Sequence, residues 1–535
     1  MRAIIPTSIK RHWVLGLILL AGVLAVQLSH IQRPYFGHFA SYQNVVMASV
    51  SRNMIRENFT DLLNPKTEVL VAHKKSLHLN QYPTPSLIAA LGSRYVGGSL
   101  EFWGRFQAVL FNLCSILLIG LIATRLKSPD FGWITATIFA FSPFTLIYGQ
   151  MFMCEPIALC SMLLSLFLLL PKDSSAEPSM VRITLAGLAF AITLLSRIHY
   201  LIFIPCCYFM IVKRFTFSDL FKSFWFTFVS FAMATPWYAY TYYMTHHCDY
   251  VMTSMFLQGE EWKFFDRHFL RQPEYWKRIF DAISQTMLTP LLFSMFLLGF
   301  FSASRRSFAY RLALMGILLG FSLVLIWPSK LVEHDFYLYG AFPFVCLMTA
   351  FAIEAMGNYF PVLKKKSAIV IVVLLYLFVS ARYFSHPIFK YPEQNLNFLK
   401  IATSLDRQIG PNDRIAVLGA NAPDLFYYLN RPGGALEFTG FGKGLPKYMY
   451  HKTRSAAVLR ELKEFADAKD PIALLECCVR HGTVYLITTS REELDKYPEV
   501  LSYLKRNYQE ITSQAITPYC YAFRFSVPQK KHIKL

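Results

Sequence analysis

The chain has 535 residues, of which 54% are apolar and only 16% charged, against about 25% charged in soluble proteins. With a positive mean hydropathy of +0.36, this excludes a disordered chain, a collagen, a coiled coil and a disulfide scaffold, and indicates a protein that crosses the membrane many times. The net charge of +20 does not point to nucleic acid, because the basic residues lie in short clusters between apolar runs, as orientation signals do. The ten Cys form no C-x-x-C pair and no zinc spacing, and several sit inside apolar runs, where a thiol acts as a small hydrophobe.

A membrane span needs about 20 predominantly apolar residues. In chain order the candidate runs are 12–29, 104–124, 131–148, 154–170, 183–196, 198–212, 223–243, 284–303, 309–327, 336–357 and 367–384. The first follows Arg2, Lys10 and Arg11 and reads as an uncleaved anchor, since Ala25-Val26-Gln27 is a poor cleavage context. The stretch 84–98 is apolar but short and contains Arg94, which predicts an interfacial helix. The 30 residues of 183–212 make a helix of about 45 Å, too long for a hydrocarbon core of about 30 Å.

Charge decides between one tilted helix there and two short ones joined at Arg197. With a turn at Arg197 the inner loops hold sixteen basic residues: Arg2, Lys10, Arg11, Arg125, Lys127, Lys172, Arg182, Lys213, Arg214, Lys222, Arg305, Arg306, Arg311, Lys364, Lys365 and Lys366. The short outer loops hold only Arg197 and Lys330. A single helix would place Lys213 and every later cluster on the wrong side. The expected fold is therefore a polytopic α-helical membrane domain over 1–384, of about eleven spans, with a large first outer loop at 30–103. The N-terminus is expected in the cytoplasm.

The tail, 385–535, is different in kind. Asp413-Arg414-Ile415-Ala416-Val417-Leu418-Gly419 reads as a turn and a buried strand, and Val484-Tyr485-Leu486-Ile487-Thr488 as another. Helical periodicity covers 453–468 and 490–508. This predicts a soluble, extracytoplasmic α/β domain. Neither strand is followed by a G-x-G-x-x-G or P-loop pattern, so nucleotide binding is unsupported.

The polar residues of interest gather on the outer face. Gln43 and Asn44 open a helix over 43–57 carrying Arg52, Arg56 and Glu57, which spacing alone reads as an amphipathic helix at the interface. Glu155 stands at the outer start of a span. Arg197, with His199 beside it, lies between two short apolar helices with no evident protein partner, which suits an anion site at the membrane edge. Lys330-Leu331-Val332-Glu333-His334-Asp335-Phe336-Tyr337 is denser in polar groups than a turn requires. The loop 244–283 supplies Glu260, Glu261, Trp262, Lys263, Asp266, Arg267 and His268, which read as a solvated amphipathic segment. No Ser-His-Asp order, H-E-x-x-H or EF-hand spacing occurs, so no metal ligand and no cofactor is predicted, and the use of a divalent cation stays open.

Several of these stretches, taken together in order and sidedness, resemble the GT-C superfamily of polyprenyl-phosphate-sugar-dependent glycosyltransferases. The likeness is greatest to the branch with the protein mannosyltransferases and the lipid A aminoarabinose transferase. Tyr42-Gln43-Asn44 through Arg52-Asn53-Met54 is similar to the helix opening that family's first outer loop. Tyr82-Pro83-Thr84-Pro85-Ser86 is similar to its proline-rich turn, and Glu101 to Arg105 to the start of its second span. Tyr148-Gly149-Gln150 through Glu155-Pro156 resembles the segment with its second outer acidic residue. Ser196-Arg197 resembles its basic position, and His334-Asp335-Phe336-Tyr337 its "H-D-Y-Y" stretch.

The resemblance implies an inner-membrane enzyme moving a sugar, with inversion, from a polyprenyl-phosphate donor to a glycan, lipid or protein acceptor, with membrane lipid as its surroundings and no nucleic acid. Gln43, Asn44, Arg52, Arg105, Arg197, His334 and Tyr337 are the expected substrate-binding residues, and Glu155 and Asp335 the expected catalytic carboxylates, with Glu155 favoured as base. One departure stands out: the family has an acidic residue where this chain has Gln43-Asn44, and an amide cannot take a proton at neutral pH. That keeps a non-catalytic binding or assembly protein of the same fold in view. A transporter of lipid-linked sugars is a further alternative, although it needs charges near the bilayer midplane and Glu354 is the main one found deep in a span. Reporter fusions at Lys365 and near Asp413 should read inside and outside respectively, and a cytoplasmic reading near Asp413 would overturn the sidedness.

Overall fold

The computed structural model describes residues 20–29, 31–32, 34–35, 41–71, 74–170, 177–212, 214–248, 250–253, 264–302, 307–359, 393–419, 422–436, 464, 468, 470–488, 491–511 and 520–525. The run 367–384, residues 12–19 of the first run, most of the 453–468 segment and the loop residues Glu260 to Lys263 lie outside them. The chain forms two compact units. One comprises Met1–Arg33, Val96–Tyr238 and Glu261–Phe389, and the other Pro34–Tyr95, Ala239–Glu260 and Lys390–Leu535.

The first unit is helical. Six of its helices begin where the sequence supplies a hydroxyl: Ser99, Ser128, Ser142, Ser179, Thr289 and Ser307 each accept the backbone N–H three residues on. Among the described residues two helices, Leu100–Leu126 and Phe308–Ile326, are each long and apolar enough to cross a membrane. A third span results if Pro273–Met287 and Pro290–Gly299, bent by 102°, count as one. The other expected runs appear as shorter or broken helices. The run 131–148, for example, divides at Ser142 into Pro129–Phe141 and Pro143–Tyr148.

The run 183–212 is interrupted at the residue that charge selected. Helix Met180–Ser196 ends at Arg197, whose backbone is extended (φ −152°, ψ 103°), and a 3₁₀ turn Ile198–Phe203 leads into Ile204–Ile211. Some polar groups within these helices pair with one another. Asn112 donates to Gln27 at 3.2 Å and accepts from the Tyr339 hydroxyl at 3.3 Å. Glu354, the exception noted in sequence, forms an ion pair with Lys127.

The second unit is built on an eight-stranded sheet. Its strands are β1 (Lys66–Val71), β2 (Lys74–His78), β3 (Val251–Thr253), β4 (Arg414–Leu418), β5 (Gly433–Leu436), β6 (Thr483–Thr488), β7 (Gln509–Glu510) and β8 (Ala522–Arg524), in the order β3-β2-β1-β5-β4-β6-β8-β7. Strands β5, β4 and β6 run parallel. Alternation gives β4 and β6 two apolar faces. Ile415, Val417, Tyr485 and Ile487 pack with Ile401, Leu405 and Phe426 on one face, and Ala416, Leu418 and Leu486 with Leu475, Val500 and Leu504 on the other. The two strands expected in the tail are thus present, and 490–508 contains helix Pro498–Asn507.

The first outer loop departs from expectation. The sequence groups 30–103 with the membrane domain, whereas β1 pairs in parallel with β5, Val69 opposite Gly433, and brings Pro34–Tyr95 into the α/β unit. The physical reason is edge satisfaction: β1 and β2 form a hairpin, and β1 completes its hydrogen bonding on the free edge of β5. On its other side, a Cβ at Gly433 would lie 2.2 Å from the Ile415 carbonyl oxygen, so the absence of a side chain permits the close approach of β5 to β4. Helix Ser41–Arg56 also differs from the interfacial helix its spacing suggests. Residues 44–51 are all buried, so the protein surrounds this helix. Glu68, itself buried, pairs with Arg56 at 2.8 Å and Lys75 at 3.0 Å.

Asp424, in the first turn of helix Ala422–Leu429, is buried with Oδ1 lacking a hydrogen bond. Burial pushes its carboxyl up to about 8. A carboxyl whose folded pKa is raised destabilises the fold progressively as pH rises from the unfolded value, about 3.9, to 8. Asp424→Asn should therefore raise the thermal midpoint by several degrees at pH 8 and leave it nearly unchanged at pH 4. An equal shift at both pH values would show that charge burial is not the cause.

Candidate functional site

The polar residues of the helical unit converge on one cluster. Glu155 opens helix Glu155–Leu169, where Pro156 suits the first turn and the helix N-terminus favours a carboxylate. Its side chain is fully buried, and Oε1 lies 2.5 Å from Nη2 of Arg197. Arg197 is there because helix Met180–Ser196 stops one residue earlier, and its extended backbone turns the guanidinium inward. The expectation of a cation without a protein partner is thus corrected: Arg197 is buried against Glu155. The contact is a buried ion pair.

Aromatic rings close round the pair. The Arg197 guanidinium lies 5.6 Å from the Phe336 ring centre and 6.0 Å from that of Tyr337, within cation–π range. His199 is buried edge-on to Tyr337 at 4.6 Å and beside Tyr200 at 5.0 Å. The segment that sequence marked as dense in polar groups supplies these rings. After Pro328–Glu333 a 3₁₀ turn, Asp335–Gly340, fixes its residues. His334 stacks on Phe336 at 5.0 Å.

Asp335 accepts a hydrogen bond from the Tyr148 hydroxyl, which anchors it to helix Pro143–Tyr148. Burial pushes the Asp335 carboxyl above its ordinary range, and the bond from Tyr148 works against that shift. Tyr148 and Phe336 are members of this cluster that sequence reasoning did not select. Both stood inside quoted motifs, and Tyr148 ends its apolar run next to Gly149, a position where a hydroxyl can reach across.

Of the expected site residues, the structure brings together Glu155, Arg197, His334, Asp335 and Tyr337. Arg105 is buried in helix Leu100–Leu126 and donates to the Ile31 carbonyl at 3.4 Å. Gln43, Asn44 and Arg52 belong to the α/β unit. There Arg52 donates to the Tyr427 carbonyl at 2.6 Å and to Asn430 at 3.0 Å, with the Tyr427 ring 4.0 Å from its guanidinium. Asn44 is buried, and Gln43 keeps Oε1 buried without a hydrogen bond. Among the described residues no three metal-ligating side chains converge on Glu155 or Asp335.

No protein-family model matches the sequence, and no curated protein does. Solved structures match in fold. ArnT from Cupriavidus metallidurans in the apo state superposes with a TM-score of 0.63 at 12% identity, over 97% of this chain and 98% of that one. ArnT bound to undecaprenyl phosphate gives 0.59 at 14% identity, over 96% and 98%. The oligosaccharyltransferase AglB from Archaeoglobus fulgidus, in complex with an inhibitory peptide and a dolichol-phosphate, gives 0.58 at 12% identity, over 98% and 75%. At such identities the likeness is one of fold alone.

A buried pair leaves a characteristic signature when broken. Removing one partner strands the other charge and costs about 3–5 kcal/mol, whereas removing both is far less harmful. Glu155→Gln and Arg197→Gln should each lower the thermal midpoint in detergent, and the double variant should recover most of the loss. Additive losses would show that the two charges do not stabilise each other.

Proposed function

We propose that this protein is an integral-membrane glycosyltransferase that transfers a sugar from a polyprenyl-phosphate donor to an acceptor hydroxyl on the outer face of the membrane. The observation that carries the reading is the buried Arg197 guanidinium, held by Glu155 and bordered by Phe336 and Tyr337. A donor of this kind is an amphiphile with its phosphate at the membrane edge, and it calls for a fixed cation beside apolar surface. Arginine offers five N–H donors in a planar fork, so one side chain can hold a carboxylate and a phosphate together. The GT-C fold, and the undecaprenyl phosphate and dolichol-phosphate bound to the fold neighbours, support the same donor class.

In the proposed reaction the acceptor oxygen attacks the anomeric carbon and the bond from that carbon to the phosphate oxygen breaks. Polyprenyl phosphate leaves with the electron pair, and its growing charge is stabilised by Arg197. The acceptor proton passes to a carboxylate. Glu155 is committed to Arg197, which makes it the positioning residue for that cation, and Asp335 becomes the preferred base. Tyr148 holds Asp335 in place, and burial raises its proton affinity. Gln43-Asn44 favours one second reading, a protein of the same fold that binds the lipid-linked sugar without turning it over.

Arg197→Ala should abolish binding of polyprenyl phosphate, and Arg197→Lys should restore it only in part, because an ammonium lacks the fork. Asp335→Asn should keep binding but lower turnover by about 10²-fold or more, the usual scale for a positioned base. The acidic limb of the wild-type pH–rate profile should lie above the ordinary carboxylate range, since protonation of Asp335 removes the base. Full turnover in Asp335→Asn with loss in Glu155→Gln at intact binding would exchange the two roles. Binding without any turnover in the wild type would favour the second reading.

A further inference from the structure

The α/β unit contains a second group of chemically capable side chains, unconnected with sugar transfer. Helix Pro471–Arg480 is started by Asp470, which accepts from the Ala473 N–H at 2.8 Å, and ends at His481, whose N–H returns to the Cys477 carbonyl at 3.0 Å. Cys477 and His481 are four residues apart, which places them on one face of the helical turn. Glu464 meets them there, its Oε2 lying 3.0 Å from His481 Nε2. One ligand atom from each of Glu464, Cys477 and His481 lies within 4.8 Å of the other two. Cys477 is fully buried and not in a disulfide, and His481 and Glu464 are progressively more exposed.

We propose that Glu464, Cys477 and His481 bind a zinc ion, with a fourth position left for water. Zinc bonds of about 2.0–2.1 Å to nitrogen and oxygen and about 2.3 Å to sulfur require ligand atoms about 3.3–3.6 Å apart in a tetrahedron. The His481–Glu464 separation is already close to that, so the ion takes the place of their direct contact. The sulfur, within 4.8 Å of both other ligand atoms, closes the remaining distance by side-chain adjustment. The donor set selects the metal: a thiolate and an imidazole with one carboxylate suit zinc, whereas magnesium and calcium require oxygen ligands. In this arrangement the ion ties Glu464 to helix Pro471–Arg480, which precedes β6. The spacing escapes the usual sequence patterns because Cys-x-x-x-His supplies only two ligands and the third comes from thirteen residues upstream of Cys477.

The test uses the full chain in detergent. Purified protein equilibrated with zinc and then dialysed should retain about one zinc per chain by elemental analysis. Cobalt(II) should give tetrahedral visible absorption with a near-ultraviolet sulfur-to-cobalt band. Cys477→Ser should remove the sulfur band, and Glu464→Gln, which keeps the hydrogen bond to His481, should weaken zinc binding by at least about 10-fold. Zinc retained equally by Cys477→Ser and His481→Ala, or a wild-type cobalt spectrum without a sulfur band, would overturn the site. The cobalt spectrum of the wild type decides the matter even where a variant fails to fold.

Discussion

The helical unit is organised by a single electrostatic constraint: a carboxylate and a guanidinium 2.5 Å apart in an almost wholly apolar interior. Burying either charge alone costs several kcal/mol, so each is tolerable only because the other is present. That requirement reaches into the local structure. Helix Glu155–Leu169 must begin at the carboxylate, and helix Met180–Ser196 must end at the residue before the cation. The aromatic turn at Phe336 and Tyr337 then covers a guanidinium whose position is already fixed. Because a buried pair adds little net stability over an apolar one, its presence here is better understood as a means of holding a cation in a chosen place.

The α/β unit answers a different demand. Its sheet draws strands from three separated parts of the chain, and the parallel core of β5, β4 and β6 is completed at one edge by the hairpin of β1 and β2. Helix Ser41–Arg56 is tied to that sheet by charge. Glu68 rises from β1 into contact with Arg56 and Lys75, while Arg52 and Arg56 share Asn430. The arginines that make the helix look amphipathic in sequence are thus engaged by protein groups, which explains why a helix with such a polar face is buried.

How much of this was legible depends on how far each feature reaches along the chain. The turn at Arg197 was readable because span length and basic-residue sidedness are local quantities. Strands β4 and β6 were readable because a short apolar run bounded by turn residues has few other solutions. The ion pair was not, since Glu155 and Arg197 are 42 residues apart in the sequence and a carboxylate at a helix start looks the same whether it meets water or a cation. The entry of β1 into the sheet was also hidden. A parallel edge pairing between Val69 and Gly433 leaves no periodic trace in either segment.

Gln43 and Asn44, which stand where the resembled family carries an acid, bear on the proposed chemistry. An amide side chain donates and accepts hydrogen bonds but has no basicity, so neither residue can supply the proton acceptor that sugar transfer needs. If the reaction proceeds, that task passes to a carboxylate elsewhere, and the two in the helical cluster are not equivalent. Glu155 neutralises Arg197, and protonating it would leave a bare buried cation. Asp335 accepts from the Tyr148 hydroxyl and from backbone N–H groups of its own turn, and its protonation reduces the buried charge. On the proposed reading the less costly proton acceptor is therefore Asp335, with the ion pair that fixes Arg197 leaving this second carboxylate for chemistry.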